Sequence, residues 1–462
     1  MIPTAETFLV ESLRNHPQGR KTARILAASL AAVDPTSLIR DCVILDGDNL
    51  LLQQHRVDLA EYQRIFLLGI GKAARAMSLT CADLLGNHLT YGFLLTKAGE
   101  QPVSGPLSQK FEEFTGGHPL PNSAGMNSAK KILNALSDLN PNDLVIVLIS
   151  GGGSALFSLP QSGLTLQDLI LTNQILIGCG ADITQINIIR KHLSAVKGGR
   201  LAEALFPARM ITLILSDVPG NHLESIASGP TLPDPSTYEE ALEIIEQYNL
   251  EKKLPPDVVH YLQQGSRGEH PETPKPGHPT FENSLQLLIG SNTNALQGGI
   301  RKANEEGFHS QLIHRLLKGE ARAVGEEMAR QLRGMVQTGI PLGRPACLIA
   351  GGETTVTLSD TPRPGKGGRN LELALSTVKS LAGLENCALI TLASDGQDGI
   401  TDAAGAVVTG NSLSRARRAG LDPDQHLQAH NAYPFFDTLG DLLRTGPTGT
   451  NVNDICFLFT FE

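Results

Sequence analysis

Asp143 to Leu156 reads DLVIVLISGGGSAL, and this stretch decides the fold. Leu144 to Ile149 is an unbroken apolar run, rich in β-branched residues, that follows the breaker Asn140-Pro141-Asn142. It is too short for a membrane span. A run of this kind predicts a strand buried on both faces, as in a parallel sheet. It stops at Ser150 and passes into Gly151-Gly152-Gly153-Ser154. Without Cβ atoms in the turn, consecutive backbone N–H groups can point into one concavity. Such a nest, at the carboxyl end of a strand and opening a helix, suits an anionic group such as phosphate. Taken alone, the stretch fits a flexible turn equally well.

Working outward, the pattern recurs. Arg64 to Gly69 reads as a buried strand and leads into Gly69-Ile70-Gly71-Lys72-Ala73-Ala74, then a helical pattern through Leu85. Further strands are expected at Tyr91–Thr96, Phe111–Phe114 and Met210–Leu215. Helices are expected at Ala124–Leu139 and over Thr165–Leu205, the latter interrupted near Gly178-Gly180. Strands alternating with helices predict a doubly wound parallel sheet. Gly265 to Glu282, rich in Pro, Gly, His and charge, reads as an exposed connection between domains 1–270 and 283–462. A second alternation follows, with strands at Leu285–Gly290, Ser310–His314, Ala346–Ala350, Cys387–Ala393 and Ile455–Phe461. The fold class is therefore α/β, a Rossmann-like N-terminal domain followed by a smaller α/β domain.

The 462 residues carry 38 Lys+Arg against 47 Asp+Glu, a net charge of −9, and 4% aromatic residues. Nothing there favours nucleic acid. Cys42, Cys81, Cys179, Cys347, Cys387 and Cys456 are far apart and form no CxxC pair. Reduced, buried thiols in a cytoplasmic protein are expected. The first 33 residues are helical in period and mix acidic with basic side chains, unlike a signal peptide. No window approaches the ~18 apolar residues of a membrane helix.

Gly69, Gly151, Asp217, Gly351 and Asp395 all fall where a strand gives way to a small or acidic turn. Open α/β sheets bind ligands outside the carboxyl ends of their strands, so these turns are the candidate site wall. Gly69 to Ala74 matches the dinucleotide pattern GxGxxA, which keeps an NAD(P)H-dependent reductase as an alternative. The carboxylate wanted at the end of the next strand is missing, and Thr96-Lys97 stands there, where Lys97 could meet a 2′-phosphate instead. The other reading is an anion loop with Lys72 as a cation beside it. Asp395, Asp398 and Asp402 stand at i, i+3 and i+7 and share a face if the segment turns helical. Asp395 and Asp398 are candidate Mg²⁺ ligands beside phosphate oxygens. Arg363-Pro-Gly-Lys366-Gly-Gly-Arg369-Asn370 is a cationic glycine-rich loop, and its arginines suit phosphoryl charge. Arg190, Lys191, Lys197 and Arg200 lie within 11 positions and could grip a carboxylate substrate or simply solvate a helix. Asp217 is the candidate to accept a hydroxyl proton. His118 and His192 are lone histidines and read as structural. Walker A, HExxH and Cys/His metal motifs do not occur.

Six motifs then carry a resemblance: Gly151-Gly-Gly-Ser154-Ala, Leu215-Ser-Asp-Val-Pro-Gly220, Ala227-Ser-Gly-Pro-Thr231, Gly351-Gly-Glu-Thr354, Gly367-Gly-Arg-Asn370 and Ser394-Asp-Gly-Gln-Asp-Gly399. Together they resemble the glycerate 2-kinase family over nearly the whole chain. The resemblance implies an N-terminal α/β domain, a C-terminal domain of the MOFRL type, and an active site in the cleft between them. It implies ATP-dependent phosphorylation of D-glycerate to 2-phosphoglycerate with Mg²⁺, and it marks Lys72 and Arg369 as active-site residues. Gly69, Gly71, Gly151, Gly152, Gly153, Ser154, Gly351, Gly352 and Glu353 become the expected ATP-binding residues. Some relatives have carried a hydroxypyruvate reductase label, which names the alternative activity. The expected partners are D-glycerate and ATP, with neither nucleic acid nor membrane, and the chain is compatible with a homodimer.

Overall fold

The computed structural model describes residues 2–99, 102–313, 316–358 and 364–462. The chain forms two compact units, one of Pro35–Ile289 and one of Met1–Asp34 with Gly290–Glu462.

In the unit Pro35–Ile289, β1 (Val43–Asp46), β2 (Asn49–Leu52) and β3 (His55–Asp58) form an antiparallel meander that the sequence reading passed over. Strands of four residues are too short for alternation to register. The main sheet follows. Its strands are β4 (Arg64–Ile70), β5 (Tyr91–Lys97), β6 (Phe111–Gly116), β7 (Asp143–Ile149), β8 (Arg209–Leu215) and β9 (Ser284–Gly290), in the order β6-β5-β4-β7-β8-β9. The pairs from β6 across to β8 are all parallel. Every residue of β7 is buried, as the continuous apolar run requires. Arg64 stands opposite Asp143 and grips it through Nε–Oδ1 at 2.9 Å and Nη2–Oδ2 at 2.7 Å. This two-pronged contact pins the β4–β7 register. The strand order reverses between β4 and β7, which makes that junction the switch point of the sheet.

The stretch Gly265–Glu282 is exposed along much of its length, but its middle is tied to the body of this unit rather than free as a connection. The Pro271 carbonyl accepts from Arg200 at 3.2 Å, and Glu272 accepts the Tyr238 N–H at 2.9 Å. Thr273, 1% exposed, donates to the buried Asp234 at 3.0 Å. Buried polar groups need partners, and this stretch spends its polar residues on them. The expected boundary therefore moves: the chain passes between the units at Asp34–Pro35 and Ile289–Gly290.

The second unit recruits residues 1–34, which the sequence reading assigned to the first domain. Helix Gly19–Ala31 lies on helix Asn292–Glu305, and Ser29 Oγ donates to the Ala295 carbonyl at 2.6 Å. A Cβ on Gly298 would stand 2.5 Å from Ala32 Cβ and 2.9 Å from the Ala28 carbonyl, so the helices meet backbone to backbone. The sheet here contains β10 (His309–Leu312), β11 (Leu317–Glu320), β12 (Ala346–Thr355), β13 (Cys387–Ala393), β14 (Gly405–Thr409), β15 (Leu442–Leu443) and β16 (Asp454–Thr460). Its order is β10-β12-β16-β13-β14-β15, with β11 added beside β12. β16 is fully buried and antiparallel to both neighbours. Its amino end therefore sits among the carboxyl ends of β12 and β13, with Asp454 opposite Gly352 and Ala393. His314, the end of one expected strand, lies outside the described residues. Among the described residues no helix is long and apolar enough to cross a membrane. The cysteines are unbridged, and all but Cys179 are buried.

Gly298→Val should lower stability by about 1–3 kcal/mol, the usual cost of overpacking. Urea unfolding followed by circular dichroism measures it, and an unshifted midpoint would show that the two helices are not held this closely.

Candidate functional site

The two glycine turns that the sequence reading treated separately are one structure. β4 and β7 run side by side to Ile70 and Ile149. Beyond them the Lys72 N–H donates to the Gly151 carbonyl at 2.9 Å, and the Ala73 N–H donates to Ser150 Oγ at 2.9 Å. Gly71 has φ +125°, and a Cβ there would lie 2.4 Å from Ser150 Oγ and 2.5 Å from its carbonyl oxygen. Only glycine fits. A Cβ on Gly152 would stand 3.3 Å from Lys72 Cγ and 3.1 Å from His118 Cδ2, so those side chains flank the nest. Gly69 has another use: its missing Cβ leaves room for Ser78 on the following helix. Asp217 is half-buried on the turn after β8, the strand next to β7.

A cavity of about 170 Å³ opens beside the nest, lined in part by His118, Gly152, Ser154, Asn173, Arg190 and Lys197. Arg190 Nε donates to Asn173 Oδ1 at 2.5 Å, which aims the guanidinium. Lys197 is 5% exposed and donates to the carbonyls of Ser154 at 2.7 Å and Phe157 at 3.2 Å. Burial, reinforced by the Arg190 charge, pulls its ammonium down to about 7. The other two expected substrate cations turn away. Lys191 pairs with Asp234 at 3.2 Å, and Arg200 reaches Pro271; both brace the Gly265–Glu282 stretch. His118 is a wall residue of this cavity. His192 is structural, fully buried with Nε2 3.0 Å from Glu272.

The nest has a support that the sequence reading quoted as a motif without a role. Ala227 and Ser228 both have left-handed backbone, with φ 50° and 60°. Such residues cost about 1–3 kcal/mol each unless their surroundings enforce them. Here Ala227 fills the space left by Gly153, and Ser228 Oγ lies 2.8 Å from Ser154 Oγ and 3.1 Å from Asn187 Oδ1. No local pattern announces a contact between residues 74 positions apart.

The second unit holds another cluster. Arg369 opens helix Arg369–Thr377. Its Nε donates to Asp454 Oδ2 at 2.5 Å, its Nη2 to Asp454 Oδ1 at 3.3 Å, and its Nη1 to Glu353. Asp454 is 3% exposed, and burial raises its carboxyl against the opposing pull of Arg369. The sequence reading missed Asp454 because it searched the carboxyl ends of strands. In an antiparallel strand the amino end reaches the same edge. A carboxylate heading the closing strand, Asn451-Val-Asn-Asp454, was the available signal.

The acidic segment differs from expectation. Residues 395–402 are not helical, so no face is shared. Asp395 Oδ1 accepts the Gln397 N–H at 3.1 Å, and Asp402 meets Tyr433 Oη at 2.6 Å on the surface. Asp398, 1% exposed, accepts the N–H groups of Asn370 at 3.0 Å and Leu371 at 2.8 Å. It thus satisfies open donors at the helix start. A Cβ on Gly368 would fall 2.4 Å from Asp398 Cγ, which explains that glycine. Burial pushes Asp398 up to about 7. Gly351 and Gly352 lie within β12, where they make room for Asn292 and β11, so the turn expected after Ala350 is not there. Arg363 lies outside the described residues. Among the described residues no group of three or more His, Cys, Asp or Glu could hold a metal ion.

Two joined glycine turns at the switch point of a parallel sheet, with Lys72 and His118 at their rim, define the candidate site of an α/β protein. The family model described as "Domain of unknown function (DUF4147)" matches residues 21–263, and the MOFRL family model matches residues 346–454. The chain is 38% identical to a "Glycerate 2-kinase" of Pyrococcus horikoshii, over 94% of this chain and 95% of that protein. It is 41% identical to a "Putative hydroxypyruvate reductase" of Agrobacterium vitis, over 85% of this chain and 86% of that one. A crystal structure of a glycerate kinase from Thermotoga maritima matches with a TM-score of 0.81 at 36% identity, covering 96% of this chain and 99% of that chain. The chain belongs to the glycerate 2-kinase family.

The Asp398 carboxyl should make stability depend on pH. Its ordinary value is 3.8 and the folded value about 7, so between them the native state binds the extra proton. Stability is then greatest below the lower value and falls as pH rises through the window. Asp398→Asn should flatten that slope by up to about 1.4 kcal/mol per pH unit. Urea unfolding from pH 4 to 7 reads it, and parallel slopes for the two proteins would refute the assignment.

Proposed function

We propose that the chain transfers the γ-phosphoryl group of ATP to the 2-hydroxyl of D-glycerate. The observation that carries this reading is the joining of the two glycine turns, which sets Lys72 at the rim of the nest beside a cation-lined cavity. Phosphoryl transfer needs positioning and charge stabilisation more than covalent chemistry. Arg190, aimed by Asn173, suits the glycerate carboxylate, with Lys197 as a second, tunable charge. The backbone N–H groups of Gly151–Ser154 and the Lys72 ammonium suit phosphoryl oxygens. Asp217, on the neighbouring turn, is our choice to accept the hydroxyl proton. Arg369 supplies a second fixed cation, oriented by Asp454 and Glu353.

Mg²⁺ fits as a partner of the nucleotide, since it takes one or two carboxylates and fills its shell with phosphate oxygens and water. Asp395 is the better ligand, because both Asp398 oxygens already serve the helix start. When bound, the ion neutralises charge on the phosphates. For a reductase, β5 ends Thr96-Lys97 without a carboxylate for a ribose hydroxyl, which leaves only Lys97 to meet a 2′-phosphate. An ATP-dependent reaction also suits the cytoplasm.

Lys72→Ala and Arg369→Ala should each lower kcat about 10²–10³-fold, the usual cost of one charge-stabilising contact. ADP release with D-glycerate, and phosphorus NMR of the product, test the activity. Circular dichroism checks that the variants are folded. A near-normal kcat in either folded variant removes that residue from the reaction, and absence of ADP release from the unaltered protein removes the activity.

A further inference from the structure

A second cavity, of about 530 Å³, opens in the unit Met1–Asp34 with Gly290–Glu462; Val356, Leu358, Gly368, Arg369, Ile400 and His430 are on its wall. We propose that it seats the nucleoside of ATP, with the phosphates directed to Arg369. The proposal rests on the kinase reading above and adds to it the place of the purine.

Three features need one ligand to explain them together. The first is apolar surface left in water. Ile400 is 86% exposed and Leu358 47% exposed, both at the cavity wall. Covering such side chains with a flat base is favourable at about 25 cal/mol per Å², and the cavity falls within the ~300–1,000 Å³ range of small-molecule sites. The second is a polar group held in place. His430 has φ 50°, in the left-handed region that histidine enters more readily than most residues. Its Nδ1 lies 3.0 Å from Glu372 Oε1, and Glu372, 4% exposed, also takes Arg322 Nε at 2.7 Å. Glu372 and Arg322, whose Nη2 lies 3.1 Å from the same Nδ1, thus fix a half-buried imidazole on the wall of the cavity. The third is the cation. Arg369 lines the same cavity and is locked by Asp454 and Glu353.

Gly365, Gly367 and Gly368 present no side chains, and Lys366 is held over the Tyr433 ring at 3.7 Å. D-glycerate, small and polar throughout, has no use for the Ile400–Leu358 wall. A molecule with an aromatic base at one end and phosphates at the other uses the wall, the imidazole and the guanidinium at once.

The chain contains no tryptophan, so Ile400→Trp installs a single reporter at an exposed position. Titration with ADP should change its emission and saturate near the Kd that calorimetry gives for the unaltered protein; D-glycerate should leave the emission unchanged. Leu358→Glu should raise the KM for ATP about tenfold, a change of ~1.4 kcal/mol, and leave the KM for D-glycerate within about twofold. Calorimetric ADP binding with a silent reporter, or a Leu358→Glu effect confined to the KM for D-glycerate, overturns this seat and leaves the kinase reading standing. No ADP binding to the unaltered protein overturns both.

Discussion

The contact between Gly71 and Ser150 is the constraint on which the first unit depends. Two strand ends come so near that a single added carbon would collide with backbone and hydroxyl alike. That approach lets Lys72 and Gly151 share a backbone hydrogen bond, which turns two flexible loops into one rigid concavity. At the opposite ends of the same strands, Arg64 and Asp143 fix the register. A slip of one residue would exchange the two faces of the strand and carry Lys72 away from the nest. Chemistry at one edge of the sheet is therefore held by an ion pair at the other.

Much of this was legible in the sequence, for reasons that differ residue by residue. β7 could be read because a strand buried on both faces must be apolar throughout, and little else is apolar for so short a length. The glycine turns could be read because they follow such strands. The packing of Met1–Asp34 on Asn292–Glu305 could not, since an amphipathic helix states that it has a partner and not which one. Gly265–Glu282 looked solvent-exposed by composition, yet its glutamate and threonine answer buried histidine and aspartate side chains far away in the chain. The spacing of Asp395, Asp398 and Asp402 suggested a helix, but Gly396 and Gly399 take φ of 87° and 62°, which no helix allows. Of the four clustered cations, Arg190 and Lys197 reach the cavity while Lys191 and Arg200 are used as struts. Sequence spacing ranks residue types well; it does not say where a long side chain ends.

The two cation clusters solve the same electrostatic problem in different ways. Lys197 is buried beside a like charge, and its proton is loosely held. Arg369 is half-buried between two carboxylates that hold its proton firmly, and its charge is permanent. A guanidinium gripped on both flanks loses little orientational freedom on meeting a ligand, so less binding energy goes into ordering it. The carboxylates that hold it bear the cost, and burial shifts Asp454 toward its neutral form.

The central place of β16 bears on the order in which the molecule can be made. Residues 454–460 leave the ribosome after every other strand of their sheet, yet among the described residues β12 and β13 are joined in the sheet only through them. Until then the nascent sheet is two separate halves with open inner edges, and Arg369 has no Asp454 to face. Helix Gly19–Ala31, synthesised among the first, also waits for a helix more than 250 residues downstream. The unit Pro35–Ile289 has its own sheet and core and can close during that interval. Synthesis therefore imposes a sequence of events on this chain, with the inserted unit complete first and the discontinuous one closed last, by its final strand.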